Sequence, residues 1–534
     1  MGSLSPRERE PRAAPESRAL VFRYTSRAAG DHRGWPVEGD IPVAAHDRDT
    51  RAQIVFGGGR SDGPGTTTQR RCRPRLSASP GGFSSRIQVY GGTTSRREQR
   101  LPAADPHHTR TCVAITGPRA EDATGPRNFT RLWTASAVGD LGSYIRLLAL
   151  QVLVVATLHG TAFDVGLLNA ARWIPYLALG LVAGMAVDRW PRRSVLLVAD
   201  CLMAAVYAAL GFLAWRGHLD IAGLLLLTLA GGLFALFHDA AAQAFLPDLV
   251  PRRRLISANV RLEQGGAAAQ TVGPAVAGIL IGAVGAPLAV LLDATAHVTS
   301  ASLIAGITLR GSDRRPSGQT ARQEVRAGLH WIYRHPQLRP LALNTNLWFV
   351  FHASVTTVLV PFALLTLGLG APAVGIVLAA AGVGAVAGTA LSARAAHRWG
   401  AGRVIWLARC TYLPGIALLA LAPASSPYAW TTAFGMAVGA EILYGLAMGL
   451  ESPLETAYRQ TVTPPHLQGR TNATMRATNR AMVVVAAPLS GALAVAVGYR
   501  PVLWGAVCGM ALVALWFART PMMRAGIDET ADAE

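Results

Sequence analysis

Between Leu132 and Arg519 the chain runs as a series of apolar stretches, each close to the ~20 residues that a helix needs to cross a bilayer. Spans are predicted at 132–158, 165–187, 195–216, 220–246, 257–284, 287–309, 340–367, 372–395, 403–422, 428–456, 470–497 and 501–519. The polar gaps between them alternate in arginine content. Arg189, Arg192 and Arg193 share one gap, and Arg252 to Arg254 the next but one. Arg310, Arg314 and Arg315 follow, then Arg394, Arg398 and Arg403, and finally Arg459 and Arg470. The intervening gaps hold no arginine or a single one, Arg216 or Arg500. Basic loops confined to one side predict an even-numbered helical bundle in the cell's inner (plasma) membrane, with both termini cytoplasmic.

The longest gap, 311–339, divides six spans from six. The expected fold class is therefore an all-α membrane protein of twelve transmembrane helices, with one six-helix bundle over 131–310 and another over 340–520. Inside the gap, Gln323–Arg334 reads as an amphipathic interfacial helix, with Val325, Leu329, Trp331 and Ile332 set against Arg322, Arg326 and Arg334. A plain linker is the alternative. Residues 1–130 are rich in Arg, Gly, Pro, Ser and Thr without an apolar period, and are expected to be disordered. After Met1 the next methionine is Met185, inside a span, so part of that tail is expected to be untranslated, with a start nearer the first helix such as Val113. An acidic cytoplasmic tail, 521–534, closes the chain.

Composition and motifs sharpen this picture at four points. The net charge of +19 would ordinarily point to nucleic acid, but much of it lies in the tail and in the loops of one side. No aromatic interleaving accompanies it, so lipid is the expected partner and nucleic acid is not. Every basic residue is arginine; without lysine the chain has no Walker A loop, Schiff-base lysine or SxxK nucleophile, which excludes a transport ATPase with its own nucleotide site. Gly59-Arg60-Ser61-Asp62-Gly63 satisfies GxSxG but lacks the flanking strand and helix of a nucleophile elbow, and the spans carry no HExxH, so no enzyme is expected. Cys72, Cys112, Cys201, Cys410 and Cys508 are scattered without CxxC spacing, so neither a disulfide framework, a metal nor a cofactor is expected.

The two halves carry traces of duplication. A shift of 213 positions aligns Pro251 with Pro464, Asn259 with Asn472, Gly278 with Gly491 and Gly285 with Gly498. Parallel six-helix halves with a site between them make a transporter plan. After the second span stands GMAVDRWPRR, Gly184 to Arg193, which resembles the signature loop of the major facilitator superfamily. In that loop Gly184 would permit close helix packing, Asp188 would cap or pair across the halves, and Arg189, Arg192 and Arg193 would hold the cytoplasmic side. RLWTASAVGDLGSYIRLLAL, AQAFLPDLVPRRRLISANVRLEQ and RQTVTPPHLQGRTNATMRATNR resemble the superfamily's drug-efflux branch, which includes macrolide exporters and the enterobactin exporter. VGPAVAG, Val272 to Gly278, is similar to the motif associated with exporters, with Gly273, Pro274 and Gly278 as its packing residues. Where that branch usually reads phenylalanine-aspartate-proline, this chain has Phe237-His238-Asp239-Ala240.

Ionisable groups at bilayer depth need a cavity, a partner or a function. Asp140 and Arg146 of the first span point about 120° apart and need not pair with each other. Asp140 is read as a proton-binding carboxylate, or alternatively as a structural hydrogen-bonding group. Asp293 and His297, four apart in the sixth span, would relay a proton or simply satisfy one another. Glu441 is the deepest acid of the second half. Arg146, Arg172, Asn346 and His352 are candidates for the substrate cavity. Glu451 and Glu455 with Arg476 and Arg480, near Asp188, read as an ion-pair gate; Asp200 and Glu263 read as scaffold. The expectation is a monomeric, proton-coupled efflux carrier for amphipathic small molecules such as drugs and macrolide-like compounds. The alternatives are an exporter of an endogenous siderophore or secondary metabolite, and a lipid-handling or regulatory membrane protein.

Overall fold

The computed structural model describes residues 125–251, 254–308, 321–424, 429–464 and 467–524. The tail with its GxSxG tract, Cys72, Cys112 and Val113, the loop arginines 252, 253, 310, 314 and 315, Pro465 and most of the acidic tail lie outside the described residues. So do the side chains of Asp188, Arg322 and Val325.

Thirteen helices follow among the described residues. In the first half they are α1 (Gly125–Val152), α2 (Ala162–Arg189), α3 (Arg192–Trp215), α4 (Ile221–Leu249), α5 (Leu255–Val284) and α6 (Ala286–Ala305). A short α7 (Ala321–Arg334) leads to the second half, α8 (Leu338–Pro361), α9 (Ala371–Trp399), α10 (Ala401–Leu421), α11 (Trp430–Val462), α12 (Gln468–Val497) and α13 (Tyr499–Ala518). Eleven of the twelve long helices are apolar enough over 18 residues to cross a membrane, and the remaining one, α2, is 28 residues long. Each stands at a predicted span. Several run past the predicted limits, α1 beginning at Gly125 and α11 ending at Val462, so their turns continue beyond the apolar stretch.

The duplication is visible in backbone detail. α1 and α8 each end in a π-helical turn, Leu153–Thr157 and Phe362–Thr366. α5 and α12 each stop at a glycine with positive φ, Gly285 at 85° and Gly498 at 92°, a conformation that glycine adopts without the Cβ clash of other residues. The paired Gly278 and Gly491 make equivalent contacts across the halves. A Cβ on Gly278 would meet the backbone of Ala371, Pro372 and Gly375 on α9; one on Gly491 would meet Ala162 and Phe163 on α2. Gly166 of α2 lies likewise against Ala487 and Pro488 of α12. The two halves thus touch backbone to backbone at their arginine-poor ends. At the arginine-rich ends a Cβ on Gly184 or Gly469 meets nothing within 4 Å.

The linker helix α7 is docked rather than free. Ile332 is buried against Ala342 of α8 and Met475 of α12, and Gly328 lies against Thr474. Leu329 on the same segment stays 38% exposed.

Candidate functional site

A cavity of about 130 Å³ lies between the halves. Its walls come from α1 (Tyr144, Leu148, Gln151), α5 (Pro274), α8 (Thr356, Leu359), α9 (Leu378) and α11 (Glu441, Tyr444). Pockets that hold drug-sized ligands measure roughly 300–1,000 Å³, so admitting one requires the walls to part. Glu441 is the one charged side chain in this lining and is 6% exposed. No cation lies within 4 Å of it among the described residues, whereas the other buried acids have partners. Tyr144 is fixed by Gly273, whose missing side chain leaves room for its ring, and Pro274 reaches the cavity itself.

His352 stands one layer behind this wall. Its Nδ1 is 2.6 Å from Tyr444 Oη, and its ring stacks on Trp348 at 4.6 Å. The other three residues expected in the cavity face elsewhere. Asn346 donates from Nδ2 to Tyr333 Oη at 2.8 Å and so ties α8 to the linker helix. Arg172 folds over the Trp173 ring at 4.6 Å. Arg146 turns into its own bundle: Nε donates to Asp293 Oδ2 at 2.6 Å and Nη1 to Tyr207 Oη at 2.7 Å, with the Tyr207 ring 4.1 Å away. A buried guanidinium needs a carboxylate, and this one is on α6. Asp140 faces Gly266 of α5, one turn along α1 from Tyr144.

Asp293 and His297 do share a face, but at 3.8 Å, and each has a closer partner. Asp293 holds Arg146, while His297 Nδ1 is 3.1 Å from Asp200 Oδ1. Asp200 is 1% exposed, accepts from Ser300 Oγ at 2.7 Å and lies 3.6 Å from His238 Nε2. The aspartate expected to be scaffold thus joins two histidines from two further helices.

The expected ion-pair gate takes a different form. Glu451 pairs with Arg409 of α10 at 2.6 Å, and that arginine is also 3.8 Å from Glu455. Glu455 further accepts from Thr345 Oγ1 at 3.0 Å and lies 3.9 Å from Arg459. Among the described residues neither Arg476 nor Arg480 forms an ion pair. Both glutamates are held by α10 and α8 of their own bundle. Arg480 instead covers the rings of Trp173 and Tyr176 on α2, at 4.5 and 4.3 Å. Tyr176 in turn donates to Asp239 Oδ2 at 2.7 Å. That set, Asp239–Tyr176–Arg480, bridges the halves. The sequence flagged its place only as the departure Phe237-His238-Asp239-Ala240. Arg409, passed over in the sequence, is marked there by being a charge in mid-span.

In the signature loop Arg192 holds Asp248 of α4 at 3.0 Å as well as the Ala244 carbonyl. Arg193 and Arg131 both donate to carbonyls at the end of α6, Ala305 and Gly306, where the helix dipole favours cations. Arg189 is exposed. The close packing expected at Gly184 is not formed. α2 makes its close approach to the other half at Gly166, toward its arginine-poor end.

Known proteins agree with this architecture. The chain is 27% identical to the multidrug efflux pump Tap of Mycolicibacterium fortuitum over 68% of this chain and 88% of that one. It is 26% identical to the enterobactin exporter EntS of Salmonella choleraesuis over 68% and 81%. The match to Tap of Mycobacterium tuberculosis reaches 31% but spans about half of that protein, 52%. Among solved structures, the D-xylose-proton symporter superposes with a TM-score of 0.59 at 14% identity, over 75% of this chain and 99% of that one. The nucleoside transporter NupG gives 0.59 at 11%, over 74% and 99%. With a family model matching residues 125–533, the chain belongs to the transmembrane secretion effector family of the major facilitator superfamily.

Proposed function

We propose that this protein is a proton-coupled exporter of amphipathic small molecules that works by alternating access. The observation that carries the reading is a buried acid without a cation, Glu441, in a largely apolar cavity between two duplicated bundles. Neutral, that carboxyl costs far less in an apolar wall than it does ionised. Ionised, it needs water or a cationic cargo, so its proton and its cargo compete for one place. Protonation biases the balance of the two access states only through such differential interaction. Asp140, near the cavity on α1, is the second coupling candidate.

Arginine-rich loops are assigned to the cytoplasm and arginine-poor ends to the outside. The tight backbone contacts at Gly166, Gly278 and Gly491 then belong to a shut outer face. The relatives that are drug pumps support an amphipathic cargo. The relative that exports enterobactin supports a second reading, export of a metabolite made by the same cell. Proteoliposomes loaded with a cationic dye test the mechanism: an imposed pH gradient should drive dye against its gradient. Glu441→Gln should permit only downhill movement. Dye movement that ignores the pH gradient would defeat the reading. Comparing metabolites secreted by a deletion strain separates the two cargo classes.

A further inference from the structure

The first half holds more titratable groups than its Arg146–Asp293 pair requires. Asp200 of α3 receives two imidazoles on the same oxygen, His297 Nδ1 at 3.1 Å from α6 and His238 Nε2 at 3.6 Å from α4. The other nitrogen of His297, Nε2, looks toward Asp293 Oδ1 at 3.8 Å, and both of these buried atoms are without a hydrogen-bond partner among the described residues. A neutral imidazole has one N–H and one lone pair. Whichever tautomer His297 takes, one nitrogen turns a lone pair toward a carboxylate oxygen. With both carboxylates ionised, only the imidazolium, with hydrogens on both nitrogens, satisfies Asp200 and Asp293 together.

Charge counting agrees. Among the groups in ion-pair contact, Arg146, Asp293 and Asp200 sum to one negative charge in a dry interior, where an unbalanced charge is costly. One proton on either imidazole removes it. The nearest further cation, Arg172 of α2, stands over the Trp173 ring beside Arg146 and among the described residues pairs with neither aspartate. Several of the other charged neighbours are already engaged. Asp239, 3.8 Å from His238 Nδ1, is held by Tyr176, with Arg480 over the same ring. Arg192 and Arg193 in the first turn of α3 hold Asp248 and the end of α6. Asp140 of α1 and, beyond it, Glu263 of α5 add negative charge from the remaining sides. Tyr207 stacks on His297 at 5.8 Å and donates no second charge.

We propose that His238, Asp200 and His297 form one buried proton-binding site shared by α4, α3 and α6. Its entrance is His238, whose side chain is 23% exposed, beside the half-exposed Asp239; its interior is His297 at 6%. In transfer the His238 Nε2–H bond breaks as Asp200 Oδ1 takes the proton. The Oδ1–H bond then breaks as His297 Nδ1 takes it. Because Asp239 contacts Tyr176 and through it Arg480, the charge on His238 is felt where the halves meet. The proposal rests on the proton-coupled reading above for its role, but the site itself can be tested apart from transport.

Full-length protein labelled with ¹⁵N-histidine and purified in detergent is titrated by NMR between about pH 5 and 8, the range where histidine changes charge. His238→Gln and His297→Gln assign two of its 13 histidines. The expected result is an imidazolium at one or both positions within this range, with both signals moving in Asp200→Asn. Two neutral imidazoles throughout, or signals indifferent to Asp200→Asn, would overturn the site. If His297→Gln fails to fold, His238→Gln assigns its own signal and the response of that signal to Asp200→Asn decides. In proteoliposomes, His297→Gln should lose dye export driven by the pH gradient and keep downhill exit. Wild-type gradient response in both Gln variants would overturn the site's role and leave proton-coupled export standing. A wild type deaf to the gradient would defeat the export reading instead, and the titration alone would judge the site.

Discussion

The two halves share a backbone and differ in where they keep their charge. In both, a fifth helix stops at a positive-φ glycine and an aligned glycine packs against the second helix of the other half. Yet the first half buries a chain of groups from Arg146 through Asp293, His297 and Asp200 to His238. The second half buries a compact Arg409–Glu451–Glu455 cluster and leaves Glu441 apart at the cavity. Duplication therefore preserved the backbone contacts between the halves and let them diverge in buried charge: one half links its acids to histidines and an arginine, the other leaves an acid at the cavity.

The largest effects should come from splitting the buried pairs. Asp293→Asn strands Arg146 and should cost about 3–5 kcal/mol, because a buried charge is left uncompensated. Glu451→Gln leaves Arg409 only its longer contact to Glu455 and should cost toward the lower end of that range. Thermal unfolding in detergent would show both as large losses of melting temperature. If Glu451→Gln is tolerated while Asp293→Asn is not, the second-half cluster is less dry than its 1% exposed arginine implies. Gly491→Val should come next. Its side chain would overlap the backbone of Ala162 and Phe163, so the arginine-poor ends could not close; crosslinking between α2 and α12 there should fall sharply.

A smaller effect is expected at the bridge between the halves. Tyr176→Leu removes the ring under Arg480 and the hydroxyl on Asp239, a loss of about 0.5–2 kcal/mol by the usual strength of a cation–π contact. Export should slow without being abolished. Smallest of all, Gly184→Ala meets open space on a helix and should stabilise the chain by up to about 1 kcal/mol, with transport unchanged. A strong loss at Gly184 would mean that its close packing forms in the other access state.

Helices, their number and the duplication were legible because a bilayer imposes a length and loops impose an arginine bias, both written locally. Ionic partners were not. Arg146 and Asp293 are 147 positions apart, and nothing local tells α1 which face meets α6. Arg409 and Glu451 pair across neighbouring α10 and α11, whereas the sequence favours the α11–α12 turn, where Glu451, Glu455, Arg476 and Arg480 stand at helical spacing. Glu441 was legible as the deepest acid of its half, since depth along a span can be counted. Asn346 and Arg146 were misplaced in the cavity because helix rotation decides which way a mid-span polar group turns, and rotation follows from packing.

The most direct test of two halves rocking about a central cavity is a pair of distances measured by electron spin resonance. One label pair sits at Phe163 and Leu489, at the arginine-poor ends of α2 and α12; the other sits at Trp190 and Gly469, at their arginine-rich ends. Rocking predicts opposite changes when pH is lowered or cargo is added, the first distance lengthening as the second shortens. Two distances that stay fixed under both treatments, or that change in the same sense, would contradict it.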